Sequence, residues 1–149
     1  MQRFRTLLTK LRDDRGSAGL EIVILAPALL GFLVLLAAAG RLSLAGNAVE
    51  SAASAAAREA SLARNAAEAQ AAAEDMARVA MAQSDVNCTD LEVSIDTSGL
   101  ATAIGTTGQV SARVTCTVEL SDAALIGMPG TRDLSGTAIS PVDAYRERR

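Results

Sequence analysis

The chain has 149 residues and half of them are apolar, yet aromatics make up only 2%, so a core built on large rings is excluded. Much of the apolar count is alanine, which buries little area per residue, so such a fold needs a disulfide, a membrane or partner subunits to be stable. Five basic groups (Arg3, Arg5, Lys10, Arg12, Arg15) against Asp13 and Asp14 give residues 1–16 a net charge of +3, and the remainder carries −6 to reach the total of −3. An acidic body of this kind lacks the basic footprint that nucleic acids require.

Residues 1–16 are short, polar and charged, with Phe4, Leu7, Leu8 and Leu11 at helical spacing. They read as a cytoplasmic leader, because basic residues beside an apolar run stay on the cytoplasmic side. A junction of small residues follows (Gly16, Ser17, Ala18, Gly19), then one carboxylate, Glu21, and then Ile22 to Gly40 without a charge. At about 1.5 Å per residue this run reaches roughly 28 Å, the thickness of a bilayer's hydrocarbon layer. Residues 17–41 therefore read as a transmembrane helix, with Pro27 placed to kink it and Gly31 and Gly40 open to close approach by another helix. A carboxylate at the edge of such a span is costly and calls for a partner.

Residues 42–83 are rich in alanine and free of proline, the composition of a strong helix former. Apolar positions 45, 48, 52, 55, 62, 66, 69, 73, 76 and 80 repeat at helical spacing, with Val49, Ala53, Ala56, Ala60, Ala63 and Ala67 widening the face. The expectation is one helix continuing out of the membrane, about 95 Å from Leu20 to Gln83. Glu74 precedes Arg78 by four residues, the favourable order for a helical ion pair.

Residues 84–149 read as a small β domain. Leu91, Val93 and Ile95 alternate with polar residues, and Val110, Ala112, Val114, Cys116, Val118 and Leu120 do so more clearly. Between them, Thr97–Gly108 reads as a loop. Ser121–Gly130 reads as a loop or short helical turn, Asp133–Ser140 as a weaker third strand stopped by Pro141, and the charged tail as exposed. Cys88 and Cys116 lie beyond the span, in an oxidising space where a bridge persists, and would tie the helix-to-sheet junction to the longest strand. The triplet Asn87-Cys88-Thr89 fits a glycosylation pattern that short loops also produce by chance.

The chain lacks histidine, and its one lysine, Lys10, falls in the leader. The commonest general base is therefore missing, there is no phosphate-binding or nucleophile motif, and two cysteines alone are too few for a metal. The expectation is no enzyme activity, no cofactor and no metal. The evident chemistry is done to the chain: a small residue, Gly16, before a peptidase cut, and an acid at the fifth position after it. Cutting there frees an α-amine on Ser17, about one helical turn from Glu21. In an assembly, Glu21 of one subunit would pair with the Ser17 amine of a neighbour and set register between packed helices.

Arg15-Gly16, Glu21 and the apolar span with Ala26-Pro27 resemble the N-terminus of type IV pilin-like proteins, specifically the TadE-like pseudopilins of tight-adherence pili. Ser121–Gly130, the Asp133–Ser140 strand and Ser140-Pro141 are loosely similar to that family's C-terminal part. The resemblance is specific over residues 15–41, and the family often carries an aromatic where this chain has Ile22. It implies a prepilin-peptidase cut between Gly16 and Ser17, with Glu21 needed for processing or assembly. The implied partners are the membrane, the prepilin peptidase, other pilin or pseudopilin subunits and the pilus machinery.

The fold expectation is α+β, a long N-terminal helix with a membrane-spanning first half, then an antiparallel sheet of about three strands. The expected place is the cytoplasmic membrane, crossed once with the C-terminal domain outside. Two other readings stand beside it: a secreted protein cut after Ala39 in Ala37-Ala38-Ala39, and a single-pass anchor holding a small binding domain.

Overall fold

The computed structural model describes the backbone of residues 2–103, 105–121 and 130–145, and the side chains of these from Ile22 onward. Among the described residues, two helices, α1 (Gln2–Leu62) and α2 (Ala66–Gln83), precede three strands, β1 (Asp90–Asp96), β2 (Gly108–Glu119) and β3 (Thr131–Val142). The strands form one antiparallel sheet in the order β1-β2-β3. The architecture is the expected α+β one. The chain divides into two compact units, Met1–Ala37 and Ala38–Arg149, and α1 contributes to both.

In the first unit the described side chains belong to an apolar helix. Ile22, Val23, Ile24, Leu29, Leu30, Phe32 and Leu33 are each more than half exposed. A helix apolar on all sides, with no polar face, suits lipid rather than water. The helix continues through Pro27, and a side chain on Gly31 or Gly40 would meet nothing within 4 Å.

The second unit has two layers. Register sets the inner face of the sheet: Leu91 opposite Cys116, Val93 opposite Val114 and Ile95 opposite Ala112 on one side of β2. On the other side, Leu134 lies opposite Cys116, Gly136 opposite Val114 and Ala138 opposite Ala112. Against that face α1 buries Val49, Ala52, Ala53, Ala56, Ala57 and Ala60, and α2 buries Ala69, Ala73, Ala77 and Met81. The opposite face carries Glu92, Ser94, Arg113, Ser135 and Thr137 and is open to solvent. Period-2 alternation thus gives a sheet with one dry face.

Alanine offers so little area that the helix must come close to gain from dispersion. Gly136 permits this. A Cβ built on it would stand 2.7 Å from Glu50 Cα and 2.9 Å from Val49 O, both helix backbone atoms. Nearby, the Ser140 hydroxyl donates to Ser61 Oγ at 3.1 Å, giving these polar groups partners across the interface. On the other flank, Gln70 Nε2 donates to the Val93 carbonyl at 2.9 Å and holds α2 to β1.

Three expectations need correction. The single helix to Gln83 is two helices, broken at residues 63–65. Asn65 caps α2, its Oδ1 accepting from Glu68 N at 2.9 Å, while Glu68 Oε2 accepts from Arg64 N at 3.1 Å. The first bond satisfies a donor that the start of α2 leaves open, and the second ties Glu68 back to the residue before the cap. The break also changes the buried face: Leu62, Ala66 and Ala67 are exposed, and Ala77 and Met81 are buried instead. Finally, Pro141 does not stop β3 but pairs opposite Gln109 inside it. An edge strand has one side unpaired, and there a missing N–H costs little.

The Thr97–Gly108 connection holds a 3-10 turn, Ser98–Ala101, seated on the start of β2. Gly99 and Gly108 meet backbone to backbone there, and a side chain on either would collide with the other segment. Of the expected Ser121–Gly130 loop, residues 122–129 lie outside the described residues, as do residues 146–149 of the tail.

Candidate functional site

Gly16, Ser17 and Glu21 all fall within α1, whose helix runs without interruption from Gln2. Their side chains lie outside the described residues. Helical spacing puts Ser17 and Glu21 one turn apart, about 6 Å along the axis. A peptidase must draw its substrate into an extended form, so a cut here requires α1 to unwind locally. Gly16 and Gly19 ease that step, because each glycine lowers helix stability by about 1 kcal/mol relative to alanine.

Immediately C-terminal to Glu21, the helix is long and apolar enough to cross a membrane. Arg41 ends the uncharged run, and at the other end the charge nearest the run is Glu21.

The cysteines are joined as expected. Cys88 and Cys116 form a disulfide with Cα atoms 5.4 Å apart, and Cys116 is fully buried in β2. The bridge ties the α2–β1 connection to the central strand, closing a separation of 28 residues. Thr89 supports the same junction, its N–H and its hydroxyl both donating to the Thr117 carbonyl at 2.8 and 3.0 Å.

Among the described residues no group of His, Cys, Asp or Glu is arranged to hold a metal ion. The ion pairs among them are those of Arg78, to Glu74 at 3.4 Å and to Asp75 at 3.1 Å, on the solvent side of α2. Exposed pairs of this kind contribute little. Asp96 has a lowered pKa, first because the Ser98 backbone N–H donates to its carboxylate at 3.0 Å and second because the Ser98 hydroxyl also hydrogen-bonds it.

Sequence reasoning did not anticipate a groove of about 480 Å³ in the second unit. Arg41, Leu42, Leu44 and Ala45 of α1 form one wall, Ser84–Asn87 another, and Val118 and Glu119 at the end of β2 the floor. The groove exists because α2 ends with Ser84 hydrogen-bonded back to Met81 and the chain then turns sharply at Asp85, whose φ is 58°. That left-handed position after a helix favours glycine or asparagine, and the Ser84-Asp85 pair was its only sequence signal.

Comparison with family models, curated proteins and solved structures finds no match to this chain. Fold and site define an α+β protein with a membrane-length N-terminal helix and a disulfide-tied sheet.

Proposed function

We propose that this chain is a TadE-like minor pilin or pseudopilin, a structural or assembly component of a tight-adherence pilus. Prepilin peptidase cuts between Gly16 and Ser17, and the freed Ser17 amine of one subunit neutralises Glu21 of the next within packed apolar helices. The observation that carries this reading is α1 itself. One helix holds the small-residue junction, the lone acid and the apolar run, and then becomes the spine against which the sheet packs.

The basic residues 1–16 orient the leader to the cytoplasm, which puts Cys88 and Cys116 in an oxidising space outside. Such a chain is a non-enzymatic part that works through other subunits and the assembly machinery. An export signal cut after Ala39 fits less well, because it would remove Ala38, which is buried at 2% exposure in the folded unit. Glu21→Ala tests the reading: membrane insertion stays intact while piliation and co-purification with other subunits in mild detergent fall. Normal piliation in that variant would overturn the assembly role.

A further inference from the structure

The groove bordered by Arg41 places opposite charges within apolar walls. Leu42, Ala45, Val86 and Val118 supply apolar lining, Arg41 a cation, and Asp85 and Glu119 two carboxylates. Among the described residues neither Arg41 nor Asp85 forms an ion pair, and Glu119 has only the Ser121 hydroxyl, at 3.2 Å. Arg41 is also the first residue after the uncharged run, so in a chain whose run spans a bilayer this one groove residue falls at headgroup level.

We propose that this groove binds the headgroup of a zwitterionic phospholipid carrying a primary ammonium, the phosphoethanolamine class. The phosphate oxygens accept from the Arg41 guanidinium, and the ammonium donates to Asp85 and Glu119. The excess carboxylate disfavours an anionic headgroup. A quaternary ammonium fits poorly, since it has no N–H to donate and no aromatic ring lines the groove to receive it. The volume falls in the usual range of small-ligand sites.

Asp85 adds an independent reason. It holds a left-handed backbone at the lip of the groove, where glycine is easier. Glycine there would lack the carboxylate that aspartate brings to the groove. A residue kept in a sparsely populated conformation beside a cavity points to function.

The inference rests on α1 entering the bilayer, not on the assembly reading. The test uses the full chain reconstituted into bilayers with equal phosphatidylethanolamine, phosphatidylcholine and phosphatidylglycerol, extracted in mild detergent and read by native mass spectrometry. Retained phosphatidylethanolamine should exceed phosphatidylcholine about fivefold, as expected for exposed charge contacts. Arg41→Gln, Asp85→Asn and Glu119→Gln should each bring the ratio towards one. Asp85→Asn is the sharpest variant, because asparagine keeps the left-handed backbone and removes only the charge.

Asp85→Gly should unfold at a higher temperature yet lose selectivity, an outcome that a purely structural role would not produce. Equal retention by the native chain, a preference for phosphatidylglycerol, or an unchanged ratio in Asp85→Asn would each overturn the proposal. A chain that does not enter bilayers would overturn both it and the membrane reading, whereas entry without selectivity leaves that reading standing.

Discussion

Gly136→Ala isolates the contact on which the second unit depends. The new Cβ would lie 2.7 Å from Glu50 Cα and 2.9 Å from both Glu50 N and Val49 O. Ordinary carbon contacts lie at about 3.5–4.0 Å, so the layers must separate by roughly 1 Å. All three atoms are helix backbone, and none can swing aside. A gap of that size forfeits about a quarter to a half of each dispersion well, over the contacts of Val49, Ala52, Ala53 and Ala56, all fully buried. Overpacking typically costs 1–3 kcal/mol, and the lack of slack argues for about 2 kcal/mol or more.

Amide hydrogen exchange on the full chain in detergent reads this locally. Peptides from residues 49–60 and from β2 and β3 should exchange about thirtyfold faster, the factor for 2 kcal/mol. Ser135→Ala, on the solvent face, should change exchange little. Native protection in Gly136→Ala would show that the helix does not sit against β3 as described.

Other outcomes follow from the same geometry. Asn65→Ala removes the cap of α2 and should cost about 1 kcal/mol, with faster exchange confined to residues 63–69; no change would mean the break does not depend on the cap. Replacing Cys88 and Cys116 with serine should lower stability by about 3–4 kcal/mol for a 28-residue separation, read as a lower urea midpoint against the oxidised chain. Asp96 should titrate below ordinary aspartates by NMR. The stability it lends is present above the unfolded-state pKa and lost as pH falls through the folded value, so Asp96→Asn should blunt the acid sensitivity of the 3-10 turn.

The strands were legible because alternation is a strong signal when inner positions are valine, leucine or isoleucine, as in Leu91-Val93-Ile95 and Val110–Val118. β3 read weakly because its inner positions include Gly136 and Ser140, which are small or polar where the helix comes near. The helix break escaped notice for the opposite reason. Alanine on every side gives no contrast between buried and exposed faces, and high propensity hides an interruption. The signal was present in Asn65-Ala66-Ala67-Glu68, a polar cap followed three residues later by an acid. The groove was not legible, because its walls come from segments far apart in sequence. The pattern at Gly16, Ser17 and Glu21 is a feature of the sequence alone, one charge beside a long uncharged run, and its role remains a proposal.

In the proposed assembly, a cut after Gly16 would free an amine on Ser17 to neutralise Glu21 of a neighbour. Intact mass of the protein taken from membranes of its native host measures this directly. A mature chain beginning at Ser17 is the predicted result. A chain that retains residues 1–16, or one that begins at Gly40, would contradict it.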